Sequence, residues 1–63
     1  MEPMLLRICD VVKLTSLSRS SIYRMINDGG FPKQLTIGNR QARWSRIEIE
    51  EWYQEQVLAN QSA

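Results

Sequence analysis

The sequence contains no histidine, a single cysteine, three glycines, two prolines and no apolar run longer than the three residues Met4 to Leu6. Each absence removes a class of protein. Without histidine, the usual general bases, nucleophile–base pairs and mixed cysteine–histidine zinc sites are gone. A lone Cys9 cannot close an intramolecular disulfide, and on a short helix beside apolar neighbours it reads as a small core residue and not a reactive thiol. The longest apolar run falls far short of the roughly 18 residues a membrane span needs, and no charged-then-apolar leader opens the chain, so a cytoplasmic protein without a membrane partner is expected. Gly29-Gly30 and Gly38 lack the spacing of a nucleotide-binding loop. A chain of 63 residues is one small domain that buries only about 60% of the surface its unfolded form exposes, which leaves no room for an enclosed active site beside a core. Glu48, Glu50, Glu51 and Glu55 are scattered around one helix and read as a solvated face, not a metal site. Catalytic residues, metal ligands and cofactors are all expected to be absent, and the chain does not read as an enzyme.

What is present is a charge split. Residues 1–46 hold all eight cations against three anions, a net +5, whereas residues 47–63 hold four glutamates and no cation, a net −4. A cationic body with an acidic end suits a polyanion such as nucleic acid, which the acidic end would face away from. Charge alone is equally compatible with solvated faces on two different elements.

No repeat, low-complexity run or linker interrupts the chain. One domain over residues 5–58 is expected, with residues 1–4 and 59–63 as flexible termini. Ile8, Val11, Val12 and Leu14 fit a two-turn helix with Asp10 in its first turn, where the macrodipole favours an anion. A break at Thr15 to Leu17 follows. Ser18 has the chemistry of an N-cap, and Leu17 and Ile22 then occupy the N′ and N4 positions of a hydrophobic staple. The second helix runs from Arg19 to Asn27 or Asp28 and stops at Gly29-Gly30, one of which can take the left-handed C′ conformation, with Pro32 beyond. Ile22, Met25 and Ile26 share one face of it. Ser20, Arg24 and Asn27 share the other, with Ser21 and Tyr23 on its flanks.

Leu35 to Ile37 and Gln41 to Trp44 alternate around Gly38-Asn39-Arg40 and read as a β-hairpin. The alternation predicts Leu35, Ile37, Ala42 and Trp44 pointing inward, Arg43 outward and Arg40 at or near the tip. Ser45-x-x-Glu48 forms a capping box, and Trp44 with Ile49 a second staple, so a third helix begins at Arg46. Its Ile49, Trp52, Tyr53 and Gln56 face predicts packing, and its glutamates predict a solvated side.

Helix, three-residue turn, helix is the helix-turn-helix unit, whose second helix can enter the roughly 12 Å wide major groove of duplex DNA. Arg19 and Arg24 can donate bidentate hydrogen bonds to guanine, and Asn27 can pair with adenine. Ser20, Ser21 and Tyr23 can reach bases or phosphates, and the amides at Ser18 to Ser21 offer a phosphate site. Every amphipathic helix has a polar face, so this pattern is weak alone. A cationic hairpin beside it, carrying Lys33, Arg40 and Arg43, strengthens the reading, since such a wing reaches adjoining backbone or minor groove.

The strings Arg7-Ile8-Cys9-Asp10-Val11-Val12, Leu14-Thr15-Ser16-Leu17-Ser18-Arg19-Ser20-Ser21-Ile22-Tyr23-Arg24, Gly30-Phe31-Pro32-Lys33 and Trp44-Ser45-Arg46, closing on Glu51-Trp52, resemble the AlpA-type prophage regulators. These are small winged-helix proteins related to the MerR-like and excisionase DNA-binding domains. The resemblance covers residue 5 to about residue 55. It implies sequence-specific DNA binding next to mobile elements, with the segment Ser18 to Arg24 in the major groove and Gly38 to Arg43 as the wing. Two positions depart from the pattern. Ser16 stands where the turn usually carries glycine, and a left-handed non-glycine residue costs about 1 kcal/mol. Arg7 stands where related excisionase domains often place a serine or threonine cap, so the first helix is expected to fray or to enter differently.

The expected fold is mainly α with a small β-hairpin, a winged helix-turn-helix in the order α-α-β-β-α. The expected function is transcriptional regulation of a prophage or genomic island through duplex DNA. An excisionase bending attachment-site DNA for an integrase is the second reading, and a protein-interaction inhibitor docking by the acidic helix is the rival of another class, separable by salt-sensitive retention on heparin. An integrase or RNA polymerase is the candidate protein partner. A protein this small reads few base pairs, so cooperative self-association on DNA, or a dimer, is expected as well.

Overall fold

The computed structural model describes residues 3–61. Met1, Glu2, Ser62 and Ala63, parts of the termini expected to be flexible, lie outside the described residues. Six elements follow in order: β1 (Leu5–Leu6), α1 (Ile8–Thr15), α2 (Arg19–Asp28), β2 (Leu35–Ile37), β3 (Gln41–Ser45) and α3 (Arg46–Gln61).

Local chemistry sets the helix ends. At the start of α1 the Arg7 amide donates to the Asp10 carboxylate (3.0 Å), so the acidic residue of the first turn closes the end that lacks a hydroxyl cap. This hydrogen bond and, secondarily, the Arg7 charge hold the Asp10 carboxyl below the ordinary carboxylate range. α1 ends at Ser16, whose φ of 60° and ψ of 18° are left-handed and whose amide reaches the Val12 carbonyl at 2.8 Å. Ser18 then caps α2 by accepting from the Ser21 amide at 3.1 Å. At the far end Gly29 takes φ 85°. The Gly30 amide bonds the Met25 carbonyl at 2.8 Å and the Gly29 amide the Ile26 carbonyl at 3.1 Å, a Schellman motif that only glycine enters without strain. Ser45 caps α3 through the Glu48 amide at 3.4 Å.

The core is Leu6, Val11, Ile22, Phe31, Trp44 and Ile49, with Ile8, Val12, Leu17, Met25, Ile26 and Trp52 packed around it. Both staples thus bury their partners in one cluster. The two indole N–H groups donate to the loop between α2 and β2: Trp44 Nε1 to the Pro32 carbonyl (3.1 Å) and Trp52 Nε1 to the Gly30 carbonyl (2.7 Å). Phe31 lies against Trp52 with ring centroids 4.7 Å apart. That loop is fastened at three points, and it carries the chain from α2 into the hairpin.

Several expectations change. The sheet has three antiparallel strands in the order β1-β3-β2, not two. Leu5 pairs Ser45 and Leu6 pairs Trp44, and Leu6 enters the core. Two residues carry no readable alternation, so only the partner strand defines β1. The Pro3 and Met4 carbonyls, within the stretch expected to be flexible, accept from Arg46 Nε and the Arg46 amide at 2.9 Å each. Cys9 is exposed and not a core residue, because it sits about 160° from Val11 around the helix axis. α3 continues through Ala59 to Gln61, past residue 58.

Of the four hairpin residues expected inside, only Trp44 is buried; Leu35, Ile37 and Ala42 are exposed. The reason is register. The three-residue loop 38–40 pairs Ile37 with Gln41 and Leu35 with Arg43, leaving Thr36 opposite Ala42. Directly opposed residues share a face, so Leu35 and Ile37 lie with Gln41 and Arg43, on the side of the ribbon opposite Ala42 and Trp44. Beyond Trp44 the ribbon leaves the body. On α3, Tyr53 and Gln56 are exposed although they continue the Ile49–Trp52 side, because the layer that covers Ile49 and Trp52 ends before them.

Candidate nucleic-acid interface

α2 presents Arg19, Ser20, Arg24 and Asn27 to solvent, while Ile22 on its other side is fully buried and Met25 and Ile26 are half-buried. The helical period makes this division unavoidable once Ile22 enters the core. Tyr23 lies between the two sides. It is 41% exposed, and its ring meets that of Trp44 edge-on at 6.1 Å. Trp44 belongs to β3, so this contact sets the root of the hairpin beside the solvent face of α2.

The two serines at the helix start are occupied with each other. Ser18 Oγ accepts from the Ser21 amide and donates to Ser21 Oγ at 2.9 Å, and Ser21 is half-buried. Ile22 N bonds the Ser18 carbonyl at 3.0 Å as the first regular helical bond. That leaves the amides of Arg19 and Ser20 as the open donors of the first turn, with the Arg19 and Ser20 side chains around them. Chemically this is an anion cradle with one cation attached.

On the hairpin, Lys33 precedes β2 and is exposed, as is Arg40 in the loop. Gly38 and Arg40 both have positive φ (57° and 61°), and the Arg40 amide bonds the Gly38 carbonyl at 3.0 Å. Arg40 therefore holds a left-handed conformation at the tip with its side chain free of the body. Arg43 is half-buried and folded onto its own strand, with Nη1 donating to the Ala42 carbonyl (2.8 Å) and Nη2 to Gln41 Oε1 (3.2 Å). Its guanidinium is oriented before any ligand arrives.

Ion pairing separates these cations from Arg7 and Arg46, though not from Lys13 on α1, which likewise has no carboxylate partner among the described residues. Arg7 meets Asp10 at 3.5 Å and Arg46 meets Glu50 at 3.0 Å. Among the described residues, none of Arg19, Arg24, Lys33, Arg40 and Arg43 has a carboxylate partner. Five cations without counter-charges stand on α2 and the hairpin, and the four glutamates stand on α3. The expected site residues thus fall into an exposed group (Arg19, Ser20, Tyr23, Arg24, Asn27, Lys33, Arg40), a pre-bonded one (Arg43) and two that build the helix start (Ser18, Ser21). No group of three or more potential metal ligands converges among the described residues.

Two helices at a tight turn, the second facing solvent with its polar side and flanked by an antiparallel hairpin, define a small winged helix-turn-helix protein. Residues 4–57 match the family described as Prophage CP4-57 regulatory protein (AlpA), and the chain belongs to that family. It is 33% identical over 54 residues to the DNA-binding transcriptional activator AlpA of Escherichia coli (strain K12), spanning 76% of this chain and 77% of that one. It is 40% identical over 47 residues to the uncharacterized protein ORF88 of Enterobacteria phage P4, spanning 75% of this chain and 53% of the relative. The chain thus spans about half the length of that phage relative.

Proposed function

We propose that this protein is a sequence-specific duplex DNA-binding regulator of transcription in a prophage or genomic island. α2 enters the major groove and the hairpin lies along the adjoining backbone. The observation that carries the reading is the set of five cations without carboxylate partners on α2 and the hairpin. Relationship to a protein described as a DNA-binding transcriptional activator supports it.

Roles follow from position. Arg24 and Asn27, outward on α2, read base edges, a guanine and an adenine respectively. Arg19 and Ser20 take a phosphate at the helix start through their amides, and Ser18 and Ser21 hold those amides in place. Tyr23 contacts the backbone from the edge it shares with Trp44. Lys33, Arg40 and Arg43 neutralise phosphates, which sets register without selecting sequence.

The test is footprinting of the purified protein over the DNA surrounding its own gene, with Arg24→Ala alongside. Protection over a promoter, lost in Arg24→Ala, is the expected outcome. Protection confined to an attachment site would assign the protein to excision, and absence of protection anywhere would refute DNA regulation.

A further inference from the structure

α3 extends beyond the layer that covers it, and the overhang forms one wall of a groove of about 740 Å³. Its lining includes Leu14 at the end of α1, Leu17 in the turn, and Trp52, Tyr53, Val57 and Asn60 on α3. Leu14 and Tyr53 are 60% and 56% exposed, large apolar surfaces for so small a protein. None of the lining residues belongs to α2 or the hairpin, so the groove is separate from the cationic surface.

Charge decides what fits it. Around α3, Tyr53, Gln56, Val57 and Asn60 recur at i, i+3, i+4 and i+7 and form a neutral seam. At 100° per residue, Glu48, Glu51 and Glu55 fall about 160° to 220° from Tyr53, on the far side of the helix. The charged residues that line the groove, Arg46 and Glu50, are bonded to each other at 3.0 Å. A strongly basic or acidic partner finds no counter-charge here. The complementary surface is another helix with a mixed aromatic, aliphatic and amide stripe, and the α3 seam itself has that composition.

We propose that the groove receives α3 of a second copy of this chain, the two helices running antiparallel about a two-fold axis near residues 54 and 55. In that arrangement Tyr53 of each copy meets Gln56 and Val57 of the other, the macrodipoles oppose, and Glu48, Glu51 and Glu55 remain in solvent on both outer sides. The two α2 surfaces stay uncovered.

Sedimentation equilibrium of the full chain across micromolar to millimolar concentrations reads the result directly. The wild type is expected to shift toward twice its 7.4 kDa mass. Tyr53→Glu and Leu14→Glu, both at exposed positions but on different helices, are expected to weaken the dimer by at least about tenfold, with helical circular dichroism preserved. Glu51→Gln, on the far side, leaves it unchanged. If Tyr53→Glu loses its helical signal, Leu14→Glu carries the test, because α1 is held by Val11 and not by Leu14. A wild type that stays monomeric at millimolar concentration overturns the proposal and leaves the groove to a different protein. So does either folded variant dimerising as tightly as the wild type.

Discussion

Ser16 shows how much one backbone angle weighs in a protein this small. Its φ of 60° would suit glycine, and the serine hydroxyl accepts no strain-relieving bond there. Ser16→Gly removes that strain at some cost in unfolded-state entropy, and is expected to raise stability by about 0.5–1 kcal/mol, read as a higher thermal midpoint. On α2, neighbouring residues have opposite duties. Ile22→Ala is expected to cost about 2–5 kcal/mol, a large fraction of the stability of such a domain, since Ile22 is completely buried. Arg24→Ala should leave the melting curve nearly unchanged and lose about 1–3 kcal/mol of specific DNA affinity. Thermal denaturation and binding isotherms on both variants separate the two duties. The reverse pattern would mean that the helix faces are inverted.

At the scale of elements, the start of α1 is held by one carboxylate. Because the hydrogen bond from the Arg7 amide lowers the pKa of Asp10 in the folded state, the ionised carboxylate stabilises the fold above the ordinary carboxylate range. That stabilisation disappears as pH falls through the lowered value. Asp10→Asn is therefore expected to flatten the acid limb of a stability–pH profile while leaving its neutral plateau slightly lower; an unchanged acid limb would show that the cap does not persist in solution. The hairpin makes a different demand. Arg40 has no packing reason to be cationic, so if it neutralises one phosphate, Arg40→Ala should reduce the salt slope of log K by roughly 0.9 and weaken specific and scrambled duplexes alike. Arg43 is pre-bonded to its own strand, and the same titration on Arg43→Ala measures whether that orientation serves DNA. No change in either variant would mean that α2 binds without a wing.

For the whole molecule the governing feature is the separation of charge. Five of the six cations without a carboxylate partner among the described residues stand on α2 and the hairpin, the sixth being Lys13 on α1; Glu48, Glu50, Glu51 and Glu55 occupy α3, and the apolar groove beside α3 lies apart from the surface of α2 and the hairpin. Two copies joined through that groove keep both cationic surfaces available, and each added copy supplies base contacts that a single small domain lacks. A DNA fragment bearing two sites is accordingly expected to bind cooperatively, with Tyr53→Glu binding each site independently; equal cooperativity in the variant would detach the groove from DNA binding.

Helix positions, both serine caps, both staples, the stop at Gly29-Gly30 and the outward set on α2 were all legible in the sequence. These depend on residues within one or two turns of each other, where side-chain period and local hydrogen bonding decide the outcome. The left-handed Ser16 was legible too, through the resemblance to a family whose turn carries glycine. The face of Leu35 and Ile37 was not, although the loop length contained the clue: three residues between Ile37 and Gln41 force odd-numbered positions to one side. The solvent position of Cys9 follows from the helical period relative to Val11, but β1 and the exposure of Tyr53 were settled only in three dimensions. Each depends on how far a distant element extends, on β3 for Leu6 and on the limit of the core layer for Tyr53. Periodicity says which residues share a face, and only the packed neighbour says whether anything covers it.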